Sequence, residues 1–259
     1  MGHIKKVKFK NCYGEEIVFK KHYPLYFEQI NTFGISGRFT VQELAFCDGQ
    51  QTIDYSASGK TVPAKFAYWD KENDIFKRKK LERVFAPLRP GILTVYDDWD
   101  KYEIAAYPSG TPDFSEPGRN VYKWDVNFIS DDPYWKRMPM RSDVFIGGLE
   151  KIINYAGSSE SFPVITFPPT NGNSCLLIIS NSAGVGTGFT IKTYDKPVTV
   201  NCENMDITDS TGEDCSHYLD TSANLSQAYF SPGKNRVYVQ DPSREGIMIK
   251  WHEKFSGVI

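Results

Sequence analysis

The chain is 259 residues long, 40% hydrophobic and 24% charged, which places it among folded globular proteins and excludes a disordered or collagen-like chain. Thirty basic against thirty-two acidic side chains leave a formal charge of −2, without the clustered positive excess that grips a nucleic-acid backbone. No apolar run reaches the roughly 18 residues that span a bilayer, and residues 1–10 interleave Lys5, Lys6, Lys8 and Lys10 with Ile4, Val7 and Phe9, so neither membrane insertion nor a cleaved signal is expected.

In chain order, Val7 and Phe9 alternate with lysines, a turn-like Asn11-Cys12-Tyr13-Gly14 follows, and Ile17-Val18-Phe19 returns, predicting a first hairpin. Further strands are expected at 39–41, 61–68, 92–96, 102–107 and 121–129. In the last of these, Tyr122, Trp124, Val126 and Phe128 fall on one side and Lys123, Asp125 and Asn127 on the other. A period of two buries one face. One helix is expected before residue 90: Asn73 or Asp74 can cap it, Leu81, Val84, Phe85 and Leu88 recur at helical spacing, and Pro87 and Pro90 end it. Its first turns carry Lys77-Arg78-Lys79-Lys80, either a solvated face or a charged contact with a neighbouring subunit.

Residues 130–143 (SDDPYWKRMPMRSD) hold two prolines, three aspartates and no periodicity, the pattern of a hinge. The division drawn there gives a mixed β domain with one helix, residues 1–136, and an all-β sandwich, residues 137–259. Tyr134, Trp135, Met138 and Met140 at the hinge are candidates for an inter-domain or inter-subunit contact. Beyond it, strand-like runs at 162–167, 175–179, 188–194, 198–200, 236–240 and 247–251 are separated by turn signals about every ten residues.

The motifs that might carry chemistry are incomplete. Ser58-Gly59-Lys60-Thr61 ends like a phosphate loop, but Asp54 stands where the first glycine is needed and Val62-Pro63 replaces the helix. Gly184-Val185-Gly186-Thr187-Gly188 lies between strand-like runs and reads as a flexible hairpin loop rather than a dinucleotide loop. Asp206, Asp209, Glu213 and Asp214 around Gly212 miss the calcium-loop spacing and read as a turn with solvated carboxylates. Asp97, Asp98 and Asp100 flank Trp99 as a turn between two strands rather than an acid/base pair. His217 has no partners at metal-ligand spacing, and no Gly-x-Ser-x-Gly elbow exists. Cys12, Cys47, Cys175, Cys202 and Cys215 are odd in number, without a Cys-x-x-Cys pair, and read as the reduced thiols of a chain made in the cytoplasm. No catalytic residue, cofactor or metal site is assigned. Aromatics reach 14%. Trp124 and Trp251 fall in strand patterns, while an exposed tryptophan would offer a stacking platform for a sugar or a partner.

Taken together, several segments resemble the distal tail protein family of long-tailed bacteriophages and prophages. In the first part these are Asp48-Gly49-Gln50, the helix ending 81–87, Gly91-Ile92-Leu93 and Tyr102-Glu103-Ile104-Ala105-Ala106. Its close is Trp124-Asp125-Val126-Asn127-Phe128 with Asp132-Pro133-Tyr134-Trp135. The second part has Asn154-Tyr155-Ala156-Gly157, Pro163-Val164-Ile165 and Ser231-Pro232-Gly233-Lys234-Asn235. The order and spacing of these landmarks, over nearly the whole chain, carry the resemblance.

The resemblance implies a mainly β fold: an N-terminal β-barrel-like domain with one helix that closes into a hexameric ring, and a C-terminal galectin-like β-sandwich facing outward. It also implies a structural, non-enzymatic hub at the tail tip or baseplate of the virion. Its partners would be the tail tube protein and the tape-measure protein above, and a tail-associated lysin or receptor-binding protein below, with no nucleic acid bound and no membrane. The alternative is a carbohydrate-binding, lectin-like module acting in adhesion to the host surface.

Overall fold

The structure, a computed structural model, describes residues 4–22, 24–34, 37–43, 50–57, 59–70, 74–87, 89–114, 120–169, 174–181, 184–192, 195–220, 224–240 and 246–258, with the backbone alone over 37–43 and 50–57. The chain divides into two compact units, Met1–Lys136 with Ser256–Ile259, and Arg137–Phe255.

Alternation of lysine with apolar side chains builds the first hairpin. β1 (Lys6–Asn11) and β2 (Glu16–Lys20) pair antiparallel from Lys6↔Lys20 to Lys10↔Glu16, which turns Val7, Phe9, Ile17 and Phe19 to the same buried side. Asn11 fixes the turn, its Oδ1 accepting from the N–H groups of Tyr13 and Glu15 at 3.1 and 3.0 Å. There follow β3 (Leu25–Ile30), β4 (Gly37–Glu43), β5 (Gln50–Ala57), β6 (Lys60–Trp69), helix α1 (Ile75–Val84), β7 (Gly91–Tyr96), β8 (Lys101–Pro108) and β9 (Val121–Ser130).

Seven of these strands run in the order β8-β7-β1-β2-β3-β6-β9, and pairing of Tyr107 with Ile129 and Pro108 with Phe128 joins β8 to β9, closing a barrel. Among the described residues, β4 and β5 pair only with each other. The barrel's weakest seam is between β2 and β3, which meet at one parallel pair, Lys20↔Tyr26. The period-two pattern of β9 holds as read: Tyr122, Trp124, Val126 and Phe128 are buried, Lys123, Asp125 and Asn127 exposed.

Helix α1 starts where Asp74 accepts from the Lys77 N–H at 3.0 Å. Leu81 and Val84, with Phe85 just past the last turn, face inward. Phe85 sits among five rings of the barrel interior, Phe9, Phe19, Phe66, Trp124 and Phe128, at centroid distances of 5.6, 5.9, 5.8, 6.1 and 6.0 Å. Leu88 lies outside the described residues. The basic run splits by position: Lys77 lies over the Tyr68 ring, Arg78 pairs with buried Asp70 at 3.1 Å, and Lys79 and Lys80 face solvent.

Lys60 is the one place where the phosphate-like segment does something specific. It opens β6 beside Gly59, where a Cβ would come within 2.6 Å of the Ser130 carbonyl oxygen, so glycine alone permits the approach. The Lys60 side chain is 1% exposed, and its ammonium donates to the Ser256 carbonyl. Burial pushes its pKa down to about 8 from 10.5. Below pH 8 both folded and unfolded chains carry the charge, and the desolvation cost is present in full. Between about 8 and 10.5 only the unfolded chain binds the proton, so stability rises with pH across that window. The stability of wild type relative to Lys60→Met, read by urea unfolding from pH 7 to 9, should rise with pH; the comparison cancels the buried thiols and tyrosines, whose raised pKa values act in the opposite direction above about pH 9. An unchanged slope in the variant would contradict the assignment.

In the second unit the segment read as a hinge is ordered into short strands, β10 (Trp135–Met138), which crosses the division, and β11 (Arg141–Phe145). β12 (Glu150–Tyr155), β13 (Val164–Phe167), β14 (Cys175–Ser180), β15 (Gly186–Ile191), β16 (Val198–Asn201), β17 (Asp206–Asp209), β18 (Gly233–Val239) and β19 (Ile247–Trp251) follow. They form a five-stranded sheet, β11-β19-β13-β16-β17, and a four-stranded sheet, β12-β18-β14-β15. Alternate residues of both sheets share one core, among them Phe145, Phe167, Val200 and Ile249 from the first and Tyr155, Leu177, Phe189 and Val237 from the second.

Three local readings are corrected here. Trp135 is wholly buried and not exposed to a neighbouring subunit, and its indole N–H donates to the Thr32 carbonyl at 3.1 Å. Gly186 and Gly188 belong to β15, in register with Ser180 and Ile178, and not to a loose loop. Asp209 is buried rather than solvated.

Candidate assembly surfaces

The acidic segments come first, because they are where chemistry was weighed. In the β7–β8 turn, Asp97 Oδ1 accepts from the N–H groups of Trp99 and Asp100 at 2.7 and 2.6 Å, and the Asp97 N–H donates to the Asp100 carbonyl at 3.2 Å. Asp98 pairs with Lys5. These carboxylates shape a turn and hold Trp99 at 88% exposure on its tip.

Asp209 plays the same part after β17. Its Oδ1 accepts from Thr211 Oγ1 at 2.6 Å and from the N–H groups of Thr211 and Glu213 at 2.7 and 3.0 Å, while Lys196 reaches Oδ2 at 3.1 Å. The Thr211 hydroxyl first, then these further donors, hold its carboxyl well below the usual carboxylate range. Beside it a groove of about 340 Å³ is lined by Asp195, Lys196, Glu213, Asp214, His217 and Tyr218, among others. Two of its carboxylates are engaged locally, Asp209 as above and Asp214 by the Ser216 N–H at 2.9 Å.

No group of three His, Cys, Asp or Glu among the described residues stands close enough to hold a metal ion. Cys175, Cys202 and Cys215 are buried and Cys12 is exposed, none of the four in a disulfide, and Cys47 lies outside the described residues. Burial pushes the Cys202 thiol up to about 12, the opposite of an activated nucleophile. No described helix is long and apolar enough to cross a membrane.

What the units do offer is exposed apolar surface. In the second unit, the outer edges of β17 and β15 are both covered. Thr208 bridges to Asp214 and Cys215 donates to the Ile207 carbonyl along β17; along β15, Ile191 bridges to Leu219, and Lys192 donates to the Tyr218 carbonyl. The opposite edges, β11 and β12, pair with no further strand among the described residues. There Val144, Ile146, Leu149 and Ile152 stand about half exposed. The Val144 N–H is taken by Asp143 at 2.9 Å, and Lys151 pairs with Asp143 at 2.5 Å. This polar plug guards the backbone edge against strand addition while leaving the apolar side chains outward. Sequence reasoning passed over this edge, although Val144-Phe145-Ile146 puts apolar side chains on both faces of a strand and so departs from a one-sided pattern.

In the first unit the two most exposed large apolar groups described are Trp99, at 88%, and Phe76, at 87% beside Ile75 at the start of α1; Tyr13, Phe33 and Ile92 are exposed elsewhere. Trp124 and Trp251, read as core, are both buried.

Comparison with protein-family models and with curated proteins finds no match. Among solved structures, the chain is similar to the Dit (gp 19.1) protein of phage SPP1, described as a paradigm of the hub adsorption apparatus in phages infecting Gram-positive hosts. The TM-score is 0.73 at 12% identity, over 96% of this chain and 99% of that one. It is also similar to a chain of the phage P2 baseplate in its activated conformation with calcium, at TM-score 0.52 and 11% identity over 99% and 100%. The strontium form of that baseplate gives 0.50 and 10% over 96% and 98%. At these identities the likeness is one of fold, and it runs from end to end: the chain is built as the Dit and baseplate proteins of these phages are built.

Proposed function

We propose that the chain is a distal tail protein, the structural hub of a long-tailed phage or prophage tail tip or baseplate, without enzymatic activity. In this reading residues 1–136 form the domain that closes into a hexameric ring, and residues 137–259 form a galectin-like β-sandwich facing outward. The ring joins the tail tube and tape-measure proteins to a tail-associated lysin or receptor-binding component. The observation that carries the reading is the likeness of fold to SPP1 Dit, over 96% of one chain and 99% of the other.

Local chemistry supports it. The carboxylates of Asp97 and Asp209, in the segments where acid chemistry was weighed, are engaged in capping turns, whereas exposed apolar groups gather in patches of the kind that mark protein interfaces. The alternative, a carbohydrate-binding module, needs an aromatic platform on the sandwich. The large exposed apolar side chains described there are Val144, Ile146, Leu149, Ile152, Val185 and Met205, none of them aromatic. Native mass separates the two: a closed oligomer of six for the hub, a monomer for a free lectin-like module.

A further inference from the structure

We infer that the ring contact is head-to-tail, with the exposed face of α1 on one copy seated on the β7–β8 turn of the next; this rests on the hub reading above. A ring of more than two members needs two different patches on each copy, each fitting the other. The first unit presents two such patches, and they differ in chemistry as a complementary pair must.

The first patch is the start of α1. The side chains that α1 buries, Leu81 and Val84, belong to its second half. Ile75 and Phe76 at its start are exposed, and Lys79 and Lys80 follow on the solvent side. An exposed phenylalanine one turn from two lysines is an apolar anchor within a positive rim.

The second patch is the reverse. Trp99 is exposed on the tip of the turn, flanked by Asp97, Asp98 and Asp100, with Lys5 paired to Asp98. The two hydrogen bonds from Asp97 fix the backbone of the tip, so its presentation costs little ordering on binding. The pairing brings Lys79 and Lys80 to carboxylates and to the face of an indole, both favourable for an ammonium group. Phe76 and Trp99, each nearly nine-tenths exposed, are not covered by one another within a single chain. Trp and aromatic anchors of this kind commonly account for 2 kcal/mol or more of an interface, roughly a 30-fold change in affinity.

The test uses the full chain in a Cys12→Ser, Cys47→Ser background, which removes the one thiol exposed among the described residues and the one outside them. A protein carrying Phe76→Cys is mixed with one carrying Trp99→Cys and treated with a short bis-maleimide. The mixture should give a cross-linked dimer that neither protein gives alone, because each contact joins position 76 of one copy to position 99 of the next. Separately, Phe76→Glu and Trp99→Glu should each raise the concentration needed for assembly about 30-fold or more. Mixed together they should form dimers, since each retains the patch the other has lost. Both sites are exposed, so thermal melts matching wild type will show the fold intact. An assembled wild type whose mass survives both glutamate variants overturns the pairing and leaves the hub reading standing. Absence of the mixed cross-link at every concentration overturns the pairing whatever the wild-type mass.

Discussion

Phe85→Ala should lower the stability of the first unit by about 3–5 kcal/mol, the range for removing a buried phenylalanine from a packed core. Five rings within about 6 Å surround it, contributed by β1, β2, β6 and β9. They cannot collapse into the vacated space without breaking strand register. Phe85 also anchors α1, whose inward side chains otherwise are only Leu81 and Val84. The variant should therefore lose helix signal before the barrel melts. Urea unfolding followed by tryptophan fluorescence reads the effect directly, because Trp124 borders the same site. Phe76→Ala, on the exposed side of the same helix, should stay within about 0.5 kcal/mol of wild type in that assay. Equal effects at the two positions would contradict the placement of Phe85.

Trp135→Ala should be comparably severe, about 3–5 kcal/mol, and its failure should be one of folding rather than of subunit contact. The indole is wholly buried and donates to the Thr32 carbonyl at 3.1 Å. Thr32 in turn holds the end of the chain: its hydroxyl donates to the Val258 carbonyl at 2.5 Å and accepts from the Val258 N–H at 3.1 Å. Removing Trp135 leaves a cavity and deprives Thr32 of a donor. Trp135→Phe, which keeps most of the volume but not the N–H, should cost about 1–3 kcal/mol. A wild-type melt for Trp135→Ala combined with weakened assembly would restore the inter-subunit reading of this residue.

The contrast between those two residues shows what the sequence made legible. Phe85 was readable because helical spacing of Leu81, Val84 and Phe85 and the cap at Asp74 are local signals, decided within a dozen residues. β9 was readable for the same reason, its period of two surviving intact in the barrel wall. The burial of Trp135 was not legible because the segment around it has two prolines and mixed charge, a local appearance of a linker. Its burial depends on Thr32, a hundred residues away in sequence. Lys60 is similar: nothing near it in the chain reveals that the carbonyl it meets belongs to Ser256. The candidate surfaces divide along the same line. Trp99 and the basic face of α1 follow from local pattern, whereas the uncovered edges of β11 and β12 emerge only once the covering of β15 and β17 by later segments is known.

The closed barrel, the two-sheet second unit and the patches on α1 and the β7–β8 turn all bear on one claim, that this chain works as a ring-forming hub. Light scattering on the chain eluting from a sizing column, over a wide range of protein concentration, tests it most directly. The account predicts a species of six times 29.5 kDa, about 177 kDa, populated increasingly with concentration and with no larger open series. A mass fixed at 29.5 kDa at every concentration, or an unlimited ladder of oligomers, would contradict it.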